Sequence, residues 1–302
     1  MHWPHGTLTP MRQRLLAALV ALAFISTPAF GQKTGSQFMW KVEGPGGSSA
    51  YLLGSLHVLT ADFYPLNATI NKAFAESKTL VEEIDIDETS DPMVMMAALS
   101  KAMLTDGRTL DQIIAPDVYA EVKKRAEKAG MPMAAIQRMK PWLVAITLMA
   151  PTLQAAGFKP ELGIDRHFYD RAKDSGMKRQ GLETMAFQLD QFDSLSPKLQ
   201  EELLKTTMED LDKEVNGVKE MAQAWQFGNV AAMEKMTLTE LQEAPELYQK
   251  LLVERNHNWM PHIETCLKQN AGCFVVVGAA HLIGPDGLPV LLAKKGYKVT
   301  QQ

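Results

Sequence analysis

The apolar and polar positions change their period along the chain. Phe38 to Glu43 reads as a strand, Gly44-Pro45-Gly46-Gly47 as a turn, and Ser49 to Leu53 as the returning strand of a hairpin. A short helix is expected over Ala68 to Lys78 and a strand over Thr79 to Asp85. From Pro92 to about Gln249 the period is helical, punctuated by Gly107, Pro116, Gly130, Pro132, Pro141, Pro151, Gly157 and Pro160. One short strand, Lys178 to Leu182, interrupts it after an Ile164–Ser175 helix. A further helix runs from Glu246 to about Leu267, with a bend expected at Pro261. Phe274 to Val277 is apolar at every position, as in a strand covered on both faces, and so belongs in the middle of a sheet. Leu288 to Lys295 is a helix closed by Gly296, and Tyr297 to Thr300 is a last strand.

Strands at both ends and helices between them predict an α/β fold. Its mixed sheet is built from the two ends of the chain, with a large helical insertion at roughly 91–250. No solenoid period, low-complexity tract or Pro/Gly/Ser linker divides the chain, so residues 32–302 are expected to form a single domain.

The first 31 residues follow a different logic. Arg12 and Arg14 precede an apolar run from Leu15 to Ile25, and Ala29-Phe30-Gly31 places small residues at −3 and −1 of a cut after Gly31. This is the layout of a secretory signal peptide, with Met11 a candidate true start. The alternative is a membrane anchor, but a run of roughly 11 residues falls short of the ~20 a bilayer requires. The mature chain is expected to be periplasmic or secreted, with no stable membrane insertion after cleavage.

Composition narrows the partners. Hydrophobic residues make up 46% and charged residues 22%, a globular balance that argues against disorder. The formal charge of −4 becomes −6 once the two signal arginines are removed, so nothing marks nucleic acid as a partner. The 18 methionines are scattered through helical stretches and read as core gap-fillers. Two cysteines exclude a Cys-rich zinc finger. In an oxidising compartment Cys266 and Cys273 are placed to pair across a six-residue loop; two reduced thiols at a helix-to-strand junction are the alternative.

The chemistry gathers at strand ends. Tyr51-Leu52-Leu53-Gly54-Ser55-Leu56-His57 and Phe274-Val275-Val276-Val277-Gly278-Ala279-Ala280-His281 are both apolar strands ending in Gly-x-x-His. A glycine there allows a turn or a close approach, and leaves His57 and His281 at the sheet edge where α/β sites form. Alternation over Leu80-Val81-Glu82-Glu83-Ile84-Asp85 puts Glu82 and Glu83 on opposite faces, so only one of them can serve a site. Glu183, after Gly181-Leu182, is a second acid just past an apolar strand. Imidazole with carboxylate suits Mn, Co, Zn or Fe. His257 and His262, five apart around Pro261, read as surface residues or outer support. Asp165 reads as the N-cap or first-turn acid of a helix. Arg255-Asn256 is placed to bind an anionic substrate group or to form a surface ion pair. No Gly-x-Ser-x-Gly, phosphate loop or dinucleotide fingerprint occurs.

At these residues the chain resembles the TraB/GumN family, which also includes PrgY-like proteins and the Tiki group. The matching pieces are Leu53-Gly54-Ser55-Leu56-His57-Val58, Val81-Glu82-Glu83-Ile84-Asp85, Met139-Lys140-Pro141-Trp142, Gly163-Ile164-Asp165, Gly181-Leu182-Glu183-Thr184 with Gln188, Glu254-Arg255-Asn256 and Val277 to Gly284, running on to Gly296-Tyr297. They cover nearly all of the mature chain in the family's order, and the secretory signal and Gly-Ala-Ala-His ending fit the GumN-like branch. The resemblance implies a Tiki/TraB-like fold within a superfamily that holds erythromycin-esterase-like and haem-binding ChaN-like proteins. It implies a metal-dependent hydrolase of peptides or small molecules, with Mn or Co favoured and Zn allowed. His57, His281 and Glu83 would hold the metal, and Glu83 would be ligand or general base. Glu183 is the alternative carboxylate, and Arg255 and Asn256 the substrate-binding pair. PrgY- and TraB-like members are linked to shutting down peptide pheromones, and the GumN name comes from an exopolysaccharide gene cluster. The rival implication is a non-catalytic protein that captures a peptide, a metal or haem in the same cleft.

Overall fold

The expected hairpin forms β1 (Met39–Glu43) and β2 (Ser49–Ser55), paired antiparallel with Met39 opposite Leu53. The computed structural model describes residues 35–302 apart from 270 and 271, with the backbone alone at 210, 212–214 and 240. The segment expected to be a signal peptide, 1–31, lies outside the described residues. The chain then runs through α1 (Ala68–Ala75), β3 (Thr79–Glu82), α2 (Pro92–Ala102), α3 (Pro116–Lys128), α4 (Met133–Ile136), α5 (Pro141–Ala155) and α6 (Ile164–Asp174). After these come β4 (Lys178–Gly181), α7 (Met185–Asp193), α8 (Pro197–Gln226), α9 (Val230–Glu243) and α10 (Pro245–Tyr248). Last are α11 (Glu254–Lys268), β5 (Cys273–Gly278), α12 (Leu288–Lys294) and β6 (Lys298–Gln301).

Among the described residues the sheet has six strands, in the order β4-β3-β5-β2-β1-β6. It is mixed: β5 runs parallel to both β2 and β3, β4 is parallel to β3, and β1 is antiparallel to β2 and β6. The fully apolar β5 is interior, flanked on both sides, as its composition requires. N- and C-terminal strands thus share one sheet, and helices fill the middle of the chain, as the hydrophobic pattern predicts.

Boundaries differ locally. The strand expected to reach Asp85 ends at Glu82, although the Glu83 carbonyl still accepts the Glu183 N–H at 2.8 Å. Asp85 then accepts the Asp87 N–H and starts a short 3-10 turn, which stops the ladder. The helix expected from Glu246 contains a π-helical turn, Gln249–Val253, immediately before Arg255; Pro261 is accommodated inside α11. Cys266 and Cys273 are joined by a disulfide that ties the end of α11 to the start of β5.

The main core packs both faces of the sheet, with Phe38, Leu52, Phe168 and Phe274 among its fully buried side chains. A second apolar cluster, including Val122, Ile136, Leu148 and Leu204, lies within the helical region and packs α3 and α4 on α5 and α8. The methionine reading needs a correction. Met39, Met149, Met208, Met221 and Met233 are buried, but Met93 and Met96 are 72% and 66% exposed on α2. An 11-residue helix rich in methionine with little amphipathic contrast has more apolar positions than one buried face can take. Among the described residues no helix is long and apolar enough to cross a membrane.

Candidate functional site

The two Gly-x-x-His loops leave the same sheet edge because β2 and β5 are adjacent and parallel, with Gly54 opposite Val277 and Ser55 opposite Gly278. Each glycine is there for close approach. A Cβ on Gly54 would stand 2.5 Å from the Phe38 ring and 3.1 Å from the Ala279 Cα, inside the second motif. A Cβ on Gly278 would stand 3.2 Å from Glu83 Oε1, and the Gly278 N–H donates to that same oxygen at 2.7 Å. The first glycine therefore lets the two loops pack together, and the second brings a backbone donor onto the carboxylate.

Glu83 is the hub. Besides Gly278, its Oε2 accepts from Arg255 Nη2 at 2.6 Å and from Gln188 Nε2 at 2.9 Å. Burial by itself would raise the Glu83 pKa, but the Arg255 guanidinium first, then the His281 and His57 rings and the Gly278 N–H, outweigh it and hold the carboxyl well below the usual range. Arg255 also pairs with Glu183, whose other oxygen accepts the Trp259 indole N–H at 3.0 Å. Burial works against the Arg255 charge, yet the two carboxylates raise its pKa further. An arginine between two glutamates satisfies three buried charges with charge-assisted hydrogen bonds.

His281 has its protonation state written in its contacts. Asn256 Nδ2 donates to the carbonyls of His281 at 3.3 Å and Asp286 at 2.8 Å, so Oδ1 is the end that faces His281 Nδ1, at 2.7 Å. An amide oxygen only accepts, so Nδ1 carries the proton. Arg255 Nη1, which only donates, stands 3.2 Å from Nε2, so Nε2 carries the lone pair. Two independent partners thus specify a neutral imidazole. In agreement, burial first and Arg255 second lower the His281 pKa to about 3.

His57 is set differently. Its Nδ1 stands 3.3 Å from Asp165 Oδ1, a charge contact rather than an aligned hydrogen bond, since that oxygen has no hydrogen-bond partner. The Asp165 charge raises the His57 pKa to about 9 against the opposing effect of burial. The ring is 65% accessible and lines a cavity. Glu82, by contrast, is 4% exposed and does not line that cavity. One of its oxygens has no partner, and burial together with Asp165 and Asp85 raises its pKa to about 9. Alternation separates the two glutamates as the strand pattern requires, with Glu83 on the site side and Glu82 on the other.

The cavity holds about 470 Å³. Apolar side chains such as Leu56, Ile146, Leu153, Phe158, Met221 and Leu252 make most of its wall, and Ser55, His57, Glu83, Gln188, Arg255 and His281 supply polar groups. Both motif histidines, Glu83 and Arg255 therefore meet at one cavity. Two expected site residues do not reach it. Asn256 is fully enclosed, its amide committed to His281 and Asp286, so it supports the histidine instead of facing a substrate. Glu183 is spent on Arg255 and Trp259 behind the cavity wall. His257 and His262 are exposed on α11. Asp165 is a first-turn acid of α6, whose N-cap is Gly163, and its contact with His57 was not legible from helix rules alone. Gln188 stood out in the sequence only as a family-matching position; its distance from Glu83 along the chain hid the hydrogen bond.

The donors suit a divalent ion only in part. Glu83 is ionised, His281 has its lone pair on Nε2, where Arg255 Nη1 stands at 3.2 Å, and Glu83 Oε1 lies 3.9 Å from that nitrogen. Ligand bonds near ~2.0–2.2 Å can bridge such a pair. His57 does not join them: among the described residues no three His, Cys, Asp or Glu side chains stand close enough to share one ion. The Arg255 guanidinium already supplies the cation that faces both Glu83 and His281.

Comparison with known proteins identifies the family. Residues 38–301 match the model of the TraB/PrgY/gumN family. Relatives include the uncharacterized protein YbaP of Shigella flexneri and that of Escherichia coli strain K12, each 24% identical over 265 residues, covering 85% of this chain and 94% of the relative. Metalloprotease TIKI2 of Xenopus tropicalis is 26% identical over 326 residues, covering 87% of this chain and 59% of its own length. No solved structure matches.

Proposed function

The chain belongs to the TraB/PrgY/gumN family, and from that premise we propose that it is an exported, metal-dependent hydrolase of peptide substrates carrying an apolar group. The observation that carries the reading is the pairing of an ionised Glu83 with a neutral His281 whose lone pair is on Nε2, 3.9 Å apart in the polar part of a mostly apolar cavity. His281 and Glu83 would anchor the ion, and His57 would supply a third ligand through Nε2, its Nδ1 staying with Asp165. A bound divalent ion would polarise the scissile carbonyl and lower the pKa of its water.

The protein's own groups do the rest. The apolar wall takes up an aliphatic or aromatic side chain and excludes water around the reacting bond. Glu83 is held ionised, as a ligand must be; as a general base it would be weak, because the groups that depress its pKa oppose its taking up a proton. Arg255, anchored by Glu183 and Trp259, presents a fixed positive charge beside Glu83 and so would steady negative charge developing on a substrate oxygen. The resemblance to a protein named a metalloprotease supports the hydrolytic class.

A second reading, ligand capture without turnover, is favoured by one observation. Arg255 already faces the lone pair that a metal would use, and among the described residues no third donor is in place.

The test is to load the mature protein with Mn, Co or Zn, measure retained metal, and screen a peptide library. One retained equivalent, lost in His281→Ala, with cleavage that chelator abolishes, is the expected result. Retention of library peptides with no cleavage and no retained metal would establish capture instead.

A further inference from the structure

The two Gly-x-x-His loops are clamped in the same way, by residues that the chemistry above does not use. At the second motif, Asn256 in the first turn of α11 reaches His281 twice. Its Oδ1 meets Nδ1 at 2.7 Å and its Nδ2 donates to the His281 backbone carbonyl at 3.3 Å. At the first motif, the start of α6 performs both tasks with two residues. Asp165 Oδ1 stands 3.3 Å from His57 Nδ1, and the Ile164 N–H donates to the Leu56 carbonyl at 3.0 Å. Gly163 makes this possible, because a Cβ there would stand 2.5 Å from the His57 carbonyl oxygen. In each case a helix holds the ring at Nδ1 and the adjoining backbone at a carbonyl, α6 from its first turn and α11 just past the π-helical turn.

We propose that Asp165 and Asn256 are the positioning residues of the two motifs, each fixing its histidine from the Nδ1 side and so setting what Nε2 meets, which for His281 is Arg255 Nη1 at 3.2 Å. Several facts support this. A carboxylate and a correctly oriented amide oxygen can only accept, so both partners select a protonated Nδ1. Asn256 is fully enclosed, and Asp165, though partly exposed as a residue, has its Oδ1 atom buried beside His57. Neither lines the cavity. A buried acceptor left without a partner is costly, which ties Asn256 Oδ1 to His281 Nδ1, whereas Asp165 acts on His57 Nδ1 through its charge at 3.3 Å. The partners also differ in one respect: Asp165 brings a charge and Asn256 does not. The two rings are thereby held alike but in different electrostatic surroundings. A histidine whose second nitrogen is fixed by an outer partner is a common arrangement in sites that use imidazole.

The proposal concerns ring protons, so it can fail while hydrolysis stands, and the reverse. The measurement is nitrogen–proton correlation of the histidine rings in the mature protein, labelled with ¹⁵N and purified without added metal. Wild type should show His281 as the Nδ1–H tautomer and a resolved, solvent-protected Nδ1–H on His57. Asn256→Asp keeps an acceptor and should keep the His281 tautomer; Asn256→Ala should move the proton toward Nε2. Asp165→Ala should lose the His57 Nδ1–H signal to solvent exchange, and Asp165→Asn should retain it in part. Wild-type His281 protonated at Nε2, or a His57 Nδ1–H signal indifferent to Asp165→Ala, would overturn the proposal. The wild-type spectrum suffices if either alanine variant does not fold.

Discussion

Replacing Glu82 with glutamine tests the division of labour between the two adjacent glutamates most directly. The Glu82 side chain is buried, one oxygen has no partner, and its pKa is raised from an ordinary 4.5 to about 9, by burial first and by Asp165 and Asp85 after it. Below pH 4.5 folded and unfolded chains both hold the proton, and the side chain adds no pH dependence. As pH rises, the unfolded chain releases the proton while the folded chain keeps it, so each pH unit favours unfolding by ~1.4 kcal/mol. By about pH 7 the accumulated loss is about 3 kcal/mol, and it goes on growing until the folded carboxyl itself ionises. The Glu82→Gln variant has no proton to release at this position and escapes the loss. It buries an amide instead, at a cost of about 1–3 kcal/mol that does not vary with pH. The stability of Glu82→Gln relative to wild type should therefore climb by about 4 kcal/mol between about pH 5 and pH 8. Urea denaturation of both proteins at several pH values in that window reads the difference directly. A difference that stays flat would show that Glu82 is ionised in the folded protein, and would refute its assignment to the buried, site-averted face.

Other outcomes follow from the same network. Arg255→Met strands two buried carboxylates and should lower stability by about 3–5 kcal/mol in chemical denaturation; Arg255→Lys should restore only part of it, having no planar fork. Glu83 has a depressed pKa, so its contribution is full above about pH 4.5 and fades as pH falls through its folded value. Glu83→Gln should flatten that acid limb of the stability curve. Reducing the Cys266–Cys273 bridge should cost about 2–3 kcal/mol, the amount expected for so short a loop, and thiol titration of unreduced, denatured protein should find no free cysteine. Exported protein should begin at Gln32 on N-terminal sequencing; a retained leader in the membrane fraction would contradict cleavage after Gly31.

Periodicity alone was enough for the sheet, because a strand covered on both faces must be apolar throughout, and β5 is such a run close to the C-terminal end of the chain. It also separated Glu82 from Glu83, since side chains alternate along any strand and a one-residue step changes face. The repeated Gly-x-x-His could be read because both copies sit at ends of strands that pair with each other. What the sequence could not contain is the outcome of long-range packing. Gln188, Asp165 and Asn256 meet their partners 105, 108 and 25 positions away, and no local rule links such separations. Helix rules gave Asp165 a role that any first-turn acid can fill, and only the packing of α6 on the first motif loop revealed its histidine. Arg255-Asn256 could be read as a substrate-binding pair because both side chains are polar. Tertiary structure divided them: burial turned Asn256 inward to His281, while Arg255 kept one face on the cavity and the other on Glu183. Burial of polar groups demands partners from wherever the chain brings them, and that demand, unlike period, has no signature in the order of residues.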